Sequence, residues 1–121
     1  MARTRVVLDA NALMLPFQFR VNLDAELARL LGECEVYVPS GVVRELERLA
    51  AEDRTAKGAL SLAAKYRMHE TPERGDAAVV AAAEALRAHV VTSDRGLLAV
   101  LRAGGIPCIT LRSKTHLVLV E

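Results

Sequence analysis

Aromatic residues are scarce in this chain. They make up 3% of its 121 residues, with two Phe, two Tyr and no Trp. Proteins that hold single-stranded nucleic acid mainly by stacking bases on aromatic rings need several such side chains on one surface. The composition therefore excludes that class, and any nucleic acid would have to be held by other contacts.

The chain also lacks a dominant charge and long hydrophobic runs. It has 16 Lys and Arg against 15 Asp and Glu, a net charge of +1 that excludes a strongly basic duplex-binding domain. Its apolar runs are shorter than the roughly 18 residues of a membrane helix, and the one after Arg5 is too short for a signal peptide. We therefore expect a cytoplasmic protein that makes no membrane contact.

The two cysteines, Cys34 and Cys108, are isolated from each other in or beside apolar runs. This spacing favours two buried free thiols over a disulfide. With 121 residues, 52% of them hydrophobic, the chain can build a conventional core without cross-links. We expect one domain spanning residues 1–121.

Apolar runs that predict strands alternate with patterns that predict helices. Strands are expected at 5–9, 35–39, 66–70, 89–93 and 106–111, and helices at 24–31, 42–50, 56–65, 77–87 and 95–102. Such alternation is typical of an α/β fold with a mostly parallel sheet and helices on both faces. Residues 117–120 are expected to pair with the fifth strand as a hairpin, and Pro107 places that fifth strand at or near an edge.

Three of the five Asp residues fall at junctions between predicted elements. Asp9 follows the first strand, Asp76 begins the Ala-rich helix, and Asp94 follows the fourth strand. Ligands of parallel sheets bind outside the carboxyl ends of the strands, so Asp9 and Asp94 would share a site if their strands are neighbours. The alternative role of Asp76 and Asp94 is to cap helices, which Asp does well.

Asp9 is the hardest of these residues to explain as a structural side chain. It ends an apolar strand, and no Lys or Arg occurs in the ten residues after it. A buried carboxylate needs a partner, and a cluster of acids is usually neutralised by a divalent metal. The pattern therefore predicts a metal site, with Glu45 as a fourth candidate, although a solvated surface role is the alternative for Glu45.

Other α/β chemistries fit the sequence less well. A phosphoryl-aspartate hydrolase would carry a second acid two residues after Asp9, where this chain has Asn11. The chain has neither a Gly-rich phosphate loop nor a CxxC pair, and its three histidines are scattered, which disfavours a histidine-ligated zinc.

Five segments, taken in order, resemble PIN-domain ribonucleases over nearly the whole chain. They are Val6-Val-Leu-Asp-Ala-Asn11, Leu15-Pro-Phe-Gln-Phe-Arg20, Val38-Pro-Ser-Gly-Val-Val-Arg-Glu-Leu46, Gly75-Asp76 and Val90-Val-Thr-Ser-Asp94. The stretch after Asn11 and the ending 105–112 are similar to archaeal small PIN proteins related to the eukaryotic small-subunit rRNA-processing PIN nuclease.

The resemblance implies a three-layer α/β/α fold, with a parallel five-stranded sheet in the order 3-2-1-4-5 and an added C-terminal strand. It also implies cleavage of single-stranded RNA with Mg²⁺ or Mn²⁺. Position by position, the family's four acids and two supporting polar residues correspond to Asp9, Glu45, Asp76, Asp94, Asn11 and Thr92. Many relatives carry another acid where this chain has Gly96, which puts a second metal in doubt.

In this interpretation Asp9, Asp76 and Asp94 bind the metal directly or through water, and Glu45 completes or orients the shell. Candidates for binding the RNA backbone are Arg20, Arg44, Arg48 and Arg95. Two alternatives remain open: a PIN-like module of ribosome assembly that binds RNA or protein without cutting, and the toxin ribonuclease of a toxin–antitoxin pair. A homodimer through residues 117–120 or the helix faces is a further expectation, unless that tail covers the sheet edge instead.

Overall fold

The computed structural model describes residues 3–121 and is built around a six-stranded sheet. Its strands are β1 (Thr4–Leu8), β2 (Cys34–Pro39), β3 (Arg67–His69), β4 (His89–Val91), β5 (Cys108–Arg112) and β6 (His116–Leu119). Its helices are α1 (Ala10–Gln18), α2 (Leu23–Leu31), α3 (Ser40–Ala50), α4 (Arg54–Ala63), α5 (Gly75–Leu86) and α6 (Arg95–Ala103).

The strand order is β3-β2-β1-β4-β5-β6, with β6 antiparallel to β5 and the other pairs parallel. This order confirms the expected fold, including the added C-terminal strand. The chain moves outward from β1 to β3, and α5 then carries it back across the sheet to β4. Because β1 and β4 are neighbours, a crevice lies between their carboxyl ends, where parallel sheets bind ligands.

Strand β1 is the centre of the core. Val6, Val7 and Leu8 are fully buried, and β1 pairs with β2 on one side and β4 on the other. A continuous apolar run is what a strand covered on both faces requires. The residue that follows this run is therefore held at the middle of the sheet.

Helix α1 was not predicted from the sequence. It is apolar on all sides and contains Pro16, so it lacks both the amphipathic period and the uninterrupted helix formers that signal a helix. Leu13 and Leu15 are buried in it, which shows that packing outweighs its weak local signal.

Pro107 was expected to place the fifth strand at or near an edge, and the structure has that strand next to the edge strand β6. Strand β5 begins at Cys108 and lies between β4 and β6. Pro107 lies just before the strand, where its missing N–H removes no bond, and its carbonyl oxygen accepts the N–H of Val90 at 3.0 Å. The proline is thus compatible with an interior strand.

The C-terminal tail covers the outer edge of β5. The Glu26 carboxylate of α2 accepts the N–H of Leu117 at 2.8 Å, and Arg29 donates to the carbonyl oxygen of Leu117 at 2.6 Å. Two helix side chains thereby bind the outward-facing backbone groups of β6. Of the two arrangements that the sequence left open, the structure has the tail on the sheet edge, and a dimer stays a prediction.

Among residues 3–121, no helix is both long and apolar enough to span a lipid bilayer. Cys34 and Cys108 are both free thiols, and Cys108 is buried. Burial raises the pKa of the Cys108 thiol above its ordinary value, so this side chain packs as a small hydrophobic group.

We predict that Leu117→Ala lowers the free energy of unfolding by about 2–4 kcal/mol, because it leaves a cavity in the core. Leu117 is fully buried, whereas Leu119 on the same strand is 45% exposed. Leu119→Ala is therefore the matched control and should cost far less in urea unfolding followed by circular dichroism. Equal losses for the two variants would show that β6 is not part of the core.

Candidate active site

Asp9 lies at the carboxyl end of β1 and is 6% exposed. It is also the N-cap of α1, since its Oδ1 accepts the N–H of Ala12 at 2.7 Å. The cap fixes the rotamer of the side chain and satisfies one of the free N–H groups of the helix. One residue thus ends the central strand, begins a helix and presents a buried carboxyl group.

Burial raises the pKa of Asp9 from 3.8 to about 6. The Thr92 hydroxyl and the N–H of Ala12 oppose this rise, while the nearby charges of Asp76 and Asp94 add to it. Both effects that raise the pKa disfavour the charged carboxylate. A cation bound beside Asp9 would stabilise the charged carboxylate and so lower its pKa.

Asp94 is held at the end of β4 by a small polar network. Its N–H donates to the Thr92 hydroxyl at 3.1 Å, and its Oδ1 caps α6 by accepting the N–H of Leu97 at 2.9 Å. Asn11 Oδ1 accepts the N–H of Ser93 at 2.8 Å and so ties the start of α1 to the β4 turn. Asn11 and Thr92 thus both accept backbone N–H groups of the turn that carries Asp94.

Asp76 lies in the first turn of α5, whose N-cap position is occupied by Arg74 without a side-chain cap bond. The alternative role of Asp76 as a helix cap is therefore wrong. Gly75 begins the helix with a φ of +56°, a conformation that glycine adopts without strain. Asp76 is left without a capping role to explain its place at this edge of the sheet.

A buried polar network holds the loop before α5 against the start of α3. The Ser40 hydroxyl donates to the Thr71 carbonyl oxygen at 3.1 Å and accepts the Thr71 N–H at 2.8 Å. The Gly41 N–H donates to the Thr71 hydroxyl at 3.2 Å. Gly41 also allows close approach, since a Cβ there would overlap the carbonyl oxygen of Glu73. This contact sets where α5 begins and hence where Asp76 lies.

One cavity of about 160 Å³ collects the four candidate acids. We call it the acidic cavity, and it is lined by Asp9, Ala10, Asn11, Met14, Val42, Glu45, Gly75, Asp76, Val79 and Asp94. Glu45 reaches it from the second turn of α3, half buried, whereas its neighbour Glu47 is exposed on another side of the helix. The helix pattern alone could not choose between these two residues.

The acidic cavity suits a hydrated divalent cation. Within residues 3–121, none of its four acids forms an ion pair with Lys or Arg. In the same range, no three His, Cys, Asp or Glu side chains are placed to ligate one ion together. Mg²⁺ is commonly bound through one or two carboxylates while it keeps several waters. The four carboxyl groups are of the chemical type that binds Mg²⁺, and Asp9 is the most buried of them.

The four arginines proposed for RNA contact lie in different settings. Arg44 and Arg48 of α3 line a larger cavity beside the acidic one. Arg95 is exposed in the first turn of α6, next to Asp94, and Arg20 is exposed after α1. Arg74 lines the same larger cavity but was not a candidate, because nothing in the sequence places the β3–α5 loop beside α3.

Comparison with known proteins identifies the family of this chain. The family described as "PIN like domain" matches residues 6–114. The chain belongs to the PIN-domain family. This confirms the resemblance that the sequence motifs carried, over almost the whole length of the chain.

Two archaeal relatives of this PIN domain are named ribonucleases. The chain is 30% identical over 106 residues to ribonuclease VapC9 of Archaeoglobus fulgidus, covering 84% of this chain and 78% of the relative. It is also 30% identical over 123 residues to ribonuclease VapC4 of Methanocaldococcus jannaschii, covering 93% of each.

Solved structures share the PIN fold of this chain. The PIN domain endonuclease Utp24 superposes with a TM-score of 0.80 at 21% identity, covering 95% of this chain and 90% of that one. A domain of a functionally unknown protein from Methanocaldococcus jannaschii gives a TM-score of 0.64 at 18% identity, covering 91% and 92%. At these identities the likeness shows the fold alone.

We predict that Asp9→Asn stabilises the metal-free PIN domain above pH 6. The folded state binds the Asp9 proton more tightly than the unfolded chain, so wild-type stability falls as the pH rises from about 4 to about 6. The raised pKa corresponds to about 3 kcal/mol at neutral pH, which the variant recovers while keeping the helix cap. Urea unfolding from pH 4 to 8 in EDTA measures the difference; a gain that does not shrink toward pH 4 would contradict the assignment.

We predict that Gly41→Ala costs about 1–3 kcal/mol of stability, since the new methyl group must displace the loop before α5. Its Cβ would lie 2.8 Å from the Cβ of Ala78 as well as against Glu73. Gly104→Ala is the control, because there the nearest atoms are 3.6 Å away. Thermal unfolding of both variants checks this, and equal melting temperatures would show that the loop contact is loose.

Proposed function

We propose that this protein is an endoribonuclease that uses Mg²⁺ or Mn²⁺ to hydrolyse phosphodiester bonds in single-stranded RNA in the cytoplasm. The observation that carries the proposal is the buried carboxyl group of Asp9, which shares a cavity with three further acids and forms no ion pair within the described residues. Membership of the PIN-domain family and the two ribonuclease relatives support it.

Asp9, Asp76 and Asp94 would hold the cation, directly or through water, and Glu45 would complete or orient its shell. When bound, such a cation supplies an activated water and offsets the charge that grows on the phosphate during in-line displacement. The chain's own contribution is preorganisation. Helix caps fix the rotamers of Asp9 and Asp94, and the Asn11 contact to Ser93 keeps the two strand ends together.

The electrostatics of the cavity also explain why the acids cannot act alone. Four carboxyl groups repel a phosphodiester. The pKa of Asp9 is raised mainly by burial and in smaller part by the charges of Asp76 and Asp94. With a divalent cation held by these acids, the site would attract phosphate oxygens instead. Substrate binding and cation binding should therefore be coupled.

Two physiological roles use this same chemistry. Processing of rRNA is the role implied by the resemblance of residues 105–112 to small-subunit processing nucleases. The role of a toxin in a toxin–antitoxin pair is favoured by the identity to two VapC ribonucleases. A small antitoxin gene beside this one would distinguish the toxin role.

We predict that purified protein cleaves an unstructured, end-labelled RNA with Mn²⁺ or Mg²⁺, and that Asp9→Asn lowers the cleavage rate at least about 100-fold, as expected for removal of a ligand to a catalytic metal. Excess EDTA should stop the wild-type reaction, and Mn²⁺ should restore it. Gel electrophoresis of the products measures both effects.

Asp53→Asn is the matched control for this assay. Asp53 also caps a helix, accepting the N–H groups of Thr55 and Ala56, but it lies outside the acidic cavity. Cleavage by Asp53→Asn should equal that of wild type. Activity that persists in EDTA would refute the metal assignment, and a folded wild type that binds RNA without cutting would favour the non-cleaving module.

A further inference from the structure

The acidic cavity is adjoined by a larger cavity of opposite character. The second cavity has a volume of about 640 Å³ and is lined by Gly41, Arg44, Glu45, Arg48, Arg74 and Gly75. We call it the arginine cavity. Glu45 of α3 and Gly75 of α5 line both cavities, so the two cavities are adjacent.

The three arginines of this cavity differ in their contacts. Arg44 donates to the carbonyl oxygens of Thr71 and Glu73 at 3.0 and 3.2 Å, so its guanidinium is occupied in holding the loop. Arg48 and Arg74 have solvent access, and within residues 3–121 neither forms an ion pair with a carboxylate. Two guanidinium groups therefore remain to bind an anion there.

A backbone phosphate is the anion that this position suits. A strand whose scissile phosphate lies over the acidic cavity must pass its neighbouring phosphates across the adjoining surface. The planar fork of Arg matches phosphate oxygens and keeps its charge at any physiological pH. The chain has few aromatic rings on which bases could stack. Ionic contacts to the phosphates of the RNA backbone would therefore have to supply much of the affinity for a single strand.

We propose that Arg48 and Arg74 form a subsite for a phosphate of the substrate backbone, next to the phosphate that is cleaved, while Arg44 positions the loop that carries Arg74. The subsite rests on the proposed function, because it takes the same strand that the acidic cavity would cut. The subsite would contact the RNA backbone rather than the bases, so it would contribute affinity without sequence preference.

The test measures binding in the Asp9→Asn background, so that cleavage does not obscure it. Fluorescence anisotropy follows a fluorescein-labelled single-stranded RNA, in Mg²⁺ and at several salt concentrations. Adding Arg48→Ala and Arg74→Ala together should weaken binding by roughly 10-fold for each arginine. The slope of log affinity against log salt should become shallower by about 0.7 for each phosphate that the variant no longer neutralises.

Arg102→Ala is the matched control, because Arg102 is an exposed arginine in the last turn of α6, at the end of that helix remote from Asp94. It should leave affinity and salt slope unchanged. A DNA strand of the same sequence provides a second arm, since a phosphate subsite should weaken by the same factor for DNA as for RNA. A weakening confined to RNA would overturn the phosphate assignment.

Failure of this inference is distinguishable from failure of the proposed function. If wild type cleaves RNA, but adding Arg48→Ala and Arg74→Ala to the Asp9→Asn background leaves affinity and salt slope unchanged, the subsite is refuted and the nuclease stands. If wild type does not cleave but binding still depends on Arg48 and Arg74, the subsite stands and the nuclease is refuted. When Arg48→Ala and Arg74→Ala are made together in the wild-type background, the cleavage assay should show a raised KM with unchanged kcat.

Discussion

The buried carboxyl group of Asp9 is the constraint on which the site depends. It follows three fully buried residues of β1, so the sheet leaves it almost no contact with solvent. Its hydrogen bonds to backbone and hydroxyl groups fix its position but do not remove the cost of its charge, as its raised pKa shows. The fold therefore holds a group whose charged form costs stability unless a cation offsets it.

The other acids reach Asp9 through separate structural devices. Asp94 depends on β4 being the direct neighbour of β1 and on the turn that Thr92 and Asn11 hold. Asp76 depends on the contact between the loop before α5 and the start of α3, which is built from backbone groups and small side chains. The site is thus assembled from segments distant in sequence. Its geometry depends on the β4 turn and on the contact between the loop before α5 and the start of α3.

The sequence predicted those parts of the site that follow from strand ends. Asp9 and Asp94 directly follow apolar runs, and parallel neighbours bring such residues together. Helix α1 could not be predicted, because Pro16 and an apolar surface on every side hide its period. Arg74 could not be found either, since its place depends on the Ser40–Thr71 contact, and small polar residues in a loop carry no signal for a tertiary partner. Pro107 indicated a strand at or near an edge, and β5 does lie beside the edge strand β6.

The near-zero net charge of the chain hides a sharp local separation. Acids surround one cavity and arginines line the next, with Glu45 and Gly75 at their boundary. The two cavities would act on an anionic strand in opposite ways. The acidic cavity would repel a phosphate unless a cation were bound, whereas the arginine cavity would attract a phosphate with or without one. Under the proposed function, a strand held by its flanking phosphate would bring the scissile phosphate to the acidic cavity, where the acids would hold a cation that offsets its charge. Strand and cation should then each strengthen the binding of the other, because binding free energies couple reciprocally. If the proposed function holds, the total charge of this chain is a poor guide to its RNA binding, and the useful quantity is the charge of each surface that the RNA backbone crosses.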